Sequence, residues 1–219
     1  MKAAALVLLL TSTLAHAQVK LLRPGLQGSK SVKGQSTQGW LALWPDRLAA
    51  AKLDFKKARH PIDDDGKPES VMTGVDVRAV GTDEVPLVFV RGLTAQKLAP
   101  LLVGEDVPAF LGDPKKPLTV PNLGDGPALE FTVESFGERG RRLVLSLDGK
   151  RQVLFEAKDS DTDGWSLKWV GDLDGDGRPD LLLTADSHYA VETLRLFLSS
   201  KAKKGELVRE VAKLTSEGC

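Results

Sequence analysis

The chain of 219 residues sets 30 Lys and Arg against 30 Asp and Glu, a balance that removes the electrostatic case for nucleic acid or an anionic membrane as partner. Its one cysteine, Cys219, excludes an intramolecular disulfide, and the length suffices for a hydrophobic core without one. Cys219 reads as a small buried or exposed thiol, with an intermolecular bridge as the alternative.

Residues 1–17 read as a secretory signal. Lys2 supplies the positive start, residues 3–14 the apolar run, and Ala15-His16-Ala17 a small-x-small cleavage site before Gln18. The apolar run is shorter than the roughly twenty residues that a membrane span needs. No later stretch is apolar enough to be a membrane helix, and no cysteine follows the cleavage site to carry a lipid. The expectation is a periplasmic or secreted protein without membrane insertion after cleavage, its charge balance then 29 against 30.

Residues 18–38, rich in Gly, Ser, Lys and Gln towards their end, are expected to form a flexible entry, with order starting at Gly39-Trp40. The run WLALW at 40–44 predicts a short buried strand ended by Pro45-Asp46. Residues 51–56 alternate as a strand would, while Leu48, Ala51, Phe55 and Ala58 also fit a helical stripe; the turn-rich flanks favour strand. Period-two alternation predicts a strand from Val71 to Ala79 and another from Leu87 to Arg91, and the two are expected to pair. Residues 93–102 predict a short helix capped by Thr94.

Five prolines and four glycines in residues 103–127 mark a loop-rich connection between an N-terminal β region, 39–102, and a C-terminal one, 128–219. Beyond it, Leu129, Phe131 and Val133 alternate with polar residues. The runs at 143–147 and 152–157 flank Asp148-Gly149, a strong signal for a two-residue hairpin. Strands at 165–170, 180–184 and 194–199 complete the series. The fold class expected is mainly β, with antiparallel sheets forming a sandwich or partly open barrel and at most one or two short helices.

The stretch GDLDGDGRPDLLL, residues 171–183, carries the chemistry. Counted from Asp172, carboxylates fall at loop positions one, three, five and nine: Asp172, Asp174, Asp176 and Asp180. Calcium takes six to eight oxygens, and a tight loop offering alternate side chains and one backbone carbonyl, here that of Arg178, supplies them. Gly175 and Gly177 permit the sharp reversal. Four carboxylates so close repel one another without a cation, although Asp and Gly also favour plain turns, which is the competing reading. Magnesium fits less well, because it keeps its waters and uses fewer protein ligands. Position twelve is Leu183 rather than Glu, and an apolar strand follows instead of a helix, so the loop is not an EF-hand.

The pattern Asp-x-Asp-x-Asp-Gly-x-x-Asp running into an apolar strand resembles the loop of FG-GAP and VCBS-type repeats, over roughly residues 165–198. That resemblance implies calcium binding. Its propellers stack several blades of about 40–50 residues; this chain is too short for them and holds no second complete copy, so a full propeller is not expected. Residues 188–200 and 205–212 also resemble the C-terminal part of bacterial exported proteins that carry one such loop, a likeness that implies export and calcium and no reaction.

Other signals are weaker. Residues 159–164 and 63–66 read as acidic turns, the first with a minor prospect of lending a carboxylate to a cation. His188 beside Asp186 and Ser187 invites a catalytic reading, but sequence neighbours seldom form a triad and no nucleophile elbow is present. His60 precedes Pro61 in a turn, and two histidines after residue 17 supply a zinc site poorly. Trp40, Trp44, Trp165 and Trp169 read as core before they read as a sugar-stacking platform. The leading expectation is an exported calcium-binding β protein, a binding or interaction module for a protein or glycan and without catalysis. The alternatives are a metal- or carboxylate-dependent exported hydrolase acting on glycan or peptidoglycan, discriminated by whether Asp161, Asp163, Asp186 or His188 meets an open metal position, and a site serving stability alone.

Overall fold

The computed structural model describes residues 18–61, 71–102, 117–160, 165–186, 188 and 190–217. The expected signal segment, the turn at 63–66, residues 103–116 of the connection, residues 161–164 and Cys219 lie outside them.

The first half of the chain forms β1 (Lys20–Leu22), β2 (Gly25–Gln27), the one-turn helix α1 (Ser29–Val32), β3 (Trp40–Leu43), β4 (Leu48–Ala51), β5 (Leu53–Pro61), β6 (Val71–Ala79) and β7 (Val88–Arg91). The second half forms β8 (Ala99–Leu102), β9 (Leu118–Val120), β10 (Leu129–Phe136), β11 (Gly140–Leu147), β12 (Lys150–Ala157), β13 (Ser166–Asp172), β14 (Asp180–Thr184), β15 (Val191–Leu198) and β16 (Arg209–Glu217). The strands make four antiparallel sheets, β2-β6-β5, β1-β7-β3-β4, β16-β15-β14-β13-β8 and β12-β11-β10-β9, none closed into a barrel. The mainly β, antiparallel expectation is the fold observed.

Three apolar clusters stack these sheets in that order. Leu22, Trp40, Ala42 and Phe89 face Leu53 and Val77 of the first sheet. The neighbouring residues Leu21, Leu41, Leu43, Val88 and Val90 point the other way, onto Trp169, Leu182, Leu194 and Leu196. Leu181, Leu183 and Phe197 then face Leu129, Phe131, Leu143 and Leu145 of the last sheet. The two inner sheets are therefore covered on both faces. Successive side chains of a strand point to opposite faces, so a strand covered twice must be apolar at every position. This is why WLAL, VFV and LLL read as unbroken apolar runs, while β10 alternates buried with solvated residues.

The Asp148-Gly149 hairpin forms as expected. Leu147 pairs with Lys150, and both turn residues have positive φ, 50° and 71°. All four tryptophans are buried core residues.

Four expectations are corrected. Residues 18–38 are not a featureless entry: β1 pairs with β7, β2 pairs with β6, and Leu22 and Val32 are buried, because their aliphatic side chains fill the cluster around Trp40. β6 and β7 do not pair; β6 lies between β2 and β5, whereas the doubly apolar β7 lies inside between β1 and β3. The helix expected over 93–102 is absent. Pro100 inside it would remove a helical hydrogen bond, and the residue is accepted instead in β8, an edge strand. His60 lies in β5 opposite Met72 rather than in a turn. β8 pairs with β13 and so brings residues 99–102 into the sheet of β13 to β16.

Candidate metal centre

The aspartate loop is the connection of the β13–β14 hairpin, whose ladder closes with Gly171 opposite Asp180. Leu173, fully buried in the cluster around Trp169, ties the start of the loop to the core. Gly175 and Gly177 take φ of 82° and 77°, which the reversal requires and a side chain would oppose. At Gly175 a Cβ would also overlap the side-chain amide of Gln96, which backs the loop. The Asp172 carboxylate shapes the turn by accepting from the N–H groups of Gly175, at 2.6 Å, and Gly177, at 2.9 Å.

One carboxylate oxygen from each of Asp172, Asp174 and Asp176 lies within 4.8 Å of the others. Asp174 is half-buried; its Oδ2 accepts from the Ser200 hydroxyl, and its Oδ1 is buried with no hydrogen-bond partner. A buried acceptor left unpaired costs on the order of 1–3 kcal/mol. Asp176 is held by Arg178, whose Nη2 donates to Oδ2 at 2.7 Å, and by the Ser199 hydroxyl, at 2.8 and 2.9 Å. Each carboxylate oxygen carries two lone pairs, so these hydrogen bonds leave acceptor capacity on all three residues.

Asp180 does something different. It is fully buried; Oδ2 accepts from Leu173 N–H at 2.8 Å and Oδ1 accepts from Ser199 N–H at 2.7 Å, with Ser199 Oγ, whose one hydrogen is shared with Asp176, 3.1 Å away. Burial pushes its carboxyl up to about 7, against the pull of the Ser199 and Leu173 hydrogen bonds and with the help of the nearby Asp174 charge. The structure thus gathers three of the four expected carboxylates and sets the fourth behind them as the strut joining loop, β14 and the end of β15. Arg178, expected to lend its carbonyl, also returns its guanidinium to Asp176 and to the Ser199 carbonyl, at 3.0 Å, which answers part of the repulsion in the loop.

Sequence reasoning missed Ser199, Ser200 and Gln96. The first two follow β15 directly, and two serines closing an apolar run were the only sign of them. Of the residues that could have made the loop catalytic, Asp186 and His188 are not part of the trio. The Asp186 carboxylate accepts from Thr193 N–H at 2.7 Å, and His188 Nδ1 accepts from Ala190 N–H at 3.1 Å. Asp159 pairs with Arg139 at 2.9 Å, and residues 161–164 lie outside the described residues. Among the described residues, the trio is the one acidic group close enough to hold a metal ion.

The donors suit a hard cation. All are oxygens, they converge from one short loop, and Asp174 has an oxygen, Oδ1, without a hydrogen-bond partner. Compared with protein-family models, with curated proteins and with solved structures, the chain matches none.

Proposed function

We propose that this is an exported calcium-binding β protein, acting as a binding or interaction module for a protein or glycan rather than as an enzyme. The observation that carries the reading is the convergence of one carboxylate oxygen each from Asp172, Asp174 and Asp176, with Asp174 Oδ1 buried and unpartnered. These carboxylates and the Arg178 carbonyl would hold the ion, with Asp180 bracing the loop. The ion would supply charge neutralisation and fix the hairpin end. The signal-like residues 1–17 and the resemblance of the loop to FG-GAP and VCBS-type repeats support export and calcium in preference to magnesium.

Calcium sites of extracellular modules commonly have dissociation constants of about 10⁻⁴–10⁻³ M. At a hundredfold excess over such a constant, binding stabilises the folded state by about 2.7 kcal/mol, which for a chain of this size raises Tm by roughly 5–10 °C. A thermal melt in EDTA, then in calcium or in magnesium, is expected to show that rise with calcium, and calorimetry about one site per chain. Equal melts in all three, with no heat of binding, would reduce the aspartates to a turn.

A further inference from the structure

The charge balance of the whole chain hides a local excess: residues 18–61 carry nine Lys and Arg against two Asp. Three of these cations, Lys56, Lys57 and Arg59, lie on β5, a nine-residue strand at the edge of its sheet. Successive side chains of a strand alternate in face. On one face Lys56 pairs with Asp54 at 3.0 Å and lies opposite Asp76, which pairs with Arg78 at 2.6 Å, so that face is neutral. On the other face Leu53 and Phe55 pack in the cluster around Trp40. Lys57 and Arg59 continue that row beyond the core, exposed and opposite Val75 and Thr73. Neither of the two has an ion-pair partner among the described residues.

The same two residues carry the open edge. In an antiparallel ladder the N–H and C=O of alternate residues point to the partner strand, and those between point away. Val80 N–H bonds to the Lys52 carbonyl at 2.8 Å, towards β6, whereas Leu53 N–H turns outward to the Thr37 carbonyl at 2.8 Å. The β5–β6 register runs unbroken from Leu53 to Pro61. The N–H and C=O groups of Lys57 and Arg59 therefore also point outward, where no described residue bonds to them. Such an edge templates a further strand unless its charge opposes the incoming chain. A second copy of this edge would set cation against cation, which is destabilising; an acidic strand would not. We propose that the open edge of β5 takes up an extended acidic segment of a partner protein by strand addition, its main chain on Lys57 and Arg59 and its acidic side chains against their cations. Alternate residues of a strand lie roughly 6–7 Å apart, so Asp or Glu at i and i+2 of the segment matches the pair. The edge belongs to the first sheet of the stack, and the proposal does not depend on calcium.

The test is amide NMR and hydrogen exchange of the isotope-labelled protein in EDTA, titrated with an alternating Thr-Glu peptide. An alternating Thr-Gln peptide is the uncharged counterpart, and an oligogalacturonate supplies anionic charge without backbone amides. At a tenfold excess over its dissociation constant, the Thr-Glu peptide is expected to slow exchange of the Lys57 and Arg59 amides by about tenfold. The oligogalacturonate is expected to leave both amides unprotected. Replacing both cations, Lys57→Gln with Arg59→Gln, is expected to weaken the Thr-Glu peptide about tenfold, the order of two cross-strand charge pairs, and to leave the fold intact because both side chains are exposed. The Thr-Gln peptide is expected to bind the parent as weakly as the Thr-Glu peptide binds that variant. No binding of the Thr-Glu peptide, binding without protection of these amides, or equal affinity for parent and variant would overturn the proposal. Oligogalacturonate bound as tightly as the peptide would make the patch a surface for anionic glycan and would overturn strand addition. None of these outcomes bears on the calcium site, which the melts above test separately.

Discussion

Asp180→Ala is expected to lower the stability of the folded chain by about 3–5 kcal/mol in urea unfolding, with or without calcium, because it strips a fully buried hydrogen-bonded carboxyl from the donors it serves. The N–H of Leu173 and the N–H of Ser199, both on buried residues, lose their acceptor. Asp174→Ala provides the contrast. Its carboxylate has one unpartnered oxygen, so its loss in EDTA is expected to cost little, while the stabilisation by calcium disappears. Equal losses for the two variants in EDTA would show that the division into strut and ligand is wrong. The same strut gives the metal-free protein a pH dependence whose sign is fixed. An unfolded Asp ionises near 3.9 and the folded Asp180 at about 7, so between these values the folded chain holds a proton that the unfolded chain has given up. This contribution is fully present below pH 4 and is lost as pH rises through 7. Urea midpoints in EDTA are expected to fall between pH 5 and pH 8 through this group, and Asp180→Asn is expected to flatten that slope.

The second large effect is expected at Trp169. Its side chain is fully buried where β13 meets the sheet of β3 and β7; it packs in one cluster with Leu41, Leu43 and Val88, and its indole N–H donates to the Pro45 carbonyl at 3.2 Å. It is the largest side chain of that cluster, which joins the two halves of the chain. Trp169→Ala leaves a cavity between two inner sheets that cannot close without moving both, and the expected cost is about 3–5 kcal/mol. The control is Val153→Ala on β12, where the residue is 45% exposed and a change within about 0.5 kcal/mol is expected. Chemical denaturation of both variants in calcium decides the matter: a Trp169→Ala loss no larger than that of Val153→Ala would mean that the halves do not depend on this packing.

What could be read from the sequence follows the same division into outer and inner sheets. β10 was legible because it faces water on one side, so alternation fixes its face, and Asp148-Gly149 fixes the register of β11 against β12. The runs at 40–43 and 181–183 were legible as strands but not by face, since a doubly covered strand carries no period. Partners were hidden for the same reason. β6 and β7 are neighbours in the chain, yet only the apolar character of every residue from Val88 to Val90 hinted that β7 lies a layer deeper. The aspartate trio was legible from spacing, because the hairpin brings together residues two apart. Ser199, Ser200 and Gln96 arrive from other segments, and no local pattern could join them to the loop.

The order of the stack has a kinetic consequence. Each inner sheet is completed by a segment far away in the chain: Lys20 finds Arg91, and Ala99 finds Asp172. Loop closure over such separations must precede the reward of burial, so folding of this chain is slow and concerted rather than built hairpin by hairpin. Until those closures occur, Leu181-Leu182-Leu183 is an uncovered β-prone triplet, and the acidic loop directly before it is then its nearest gatekeeper against association.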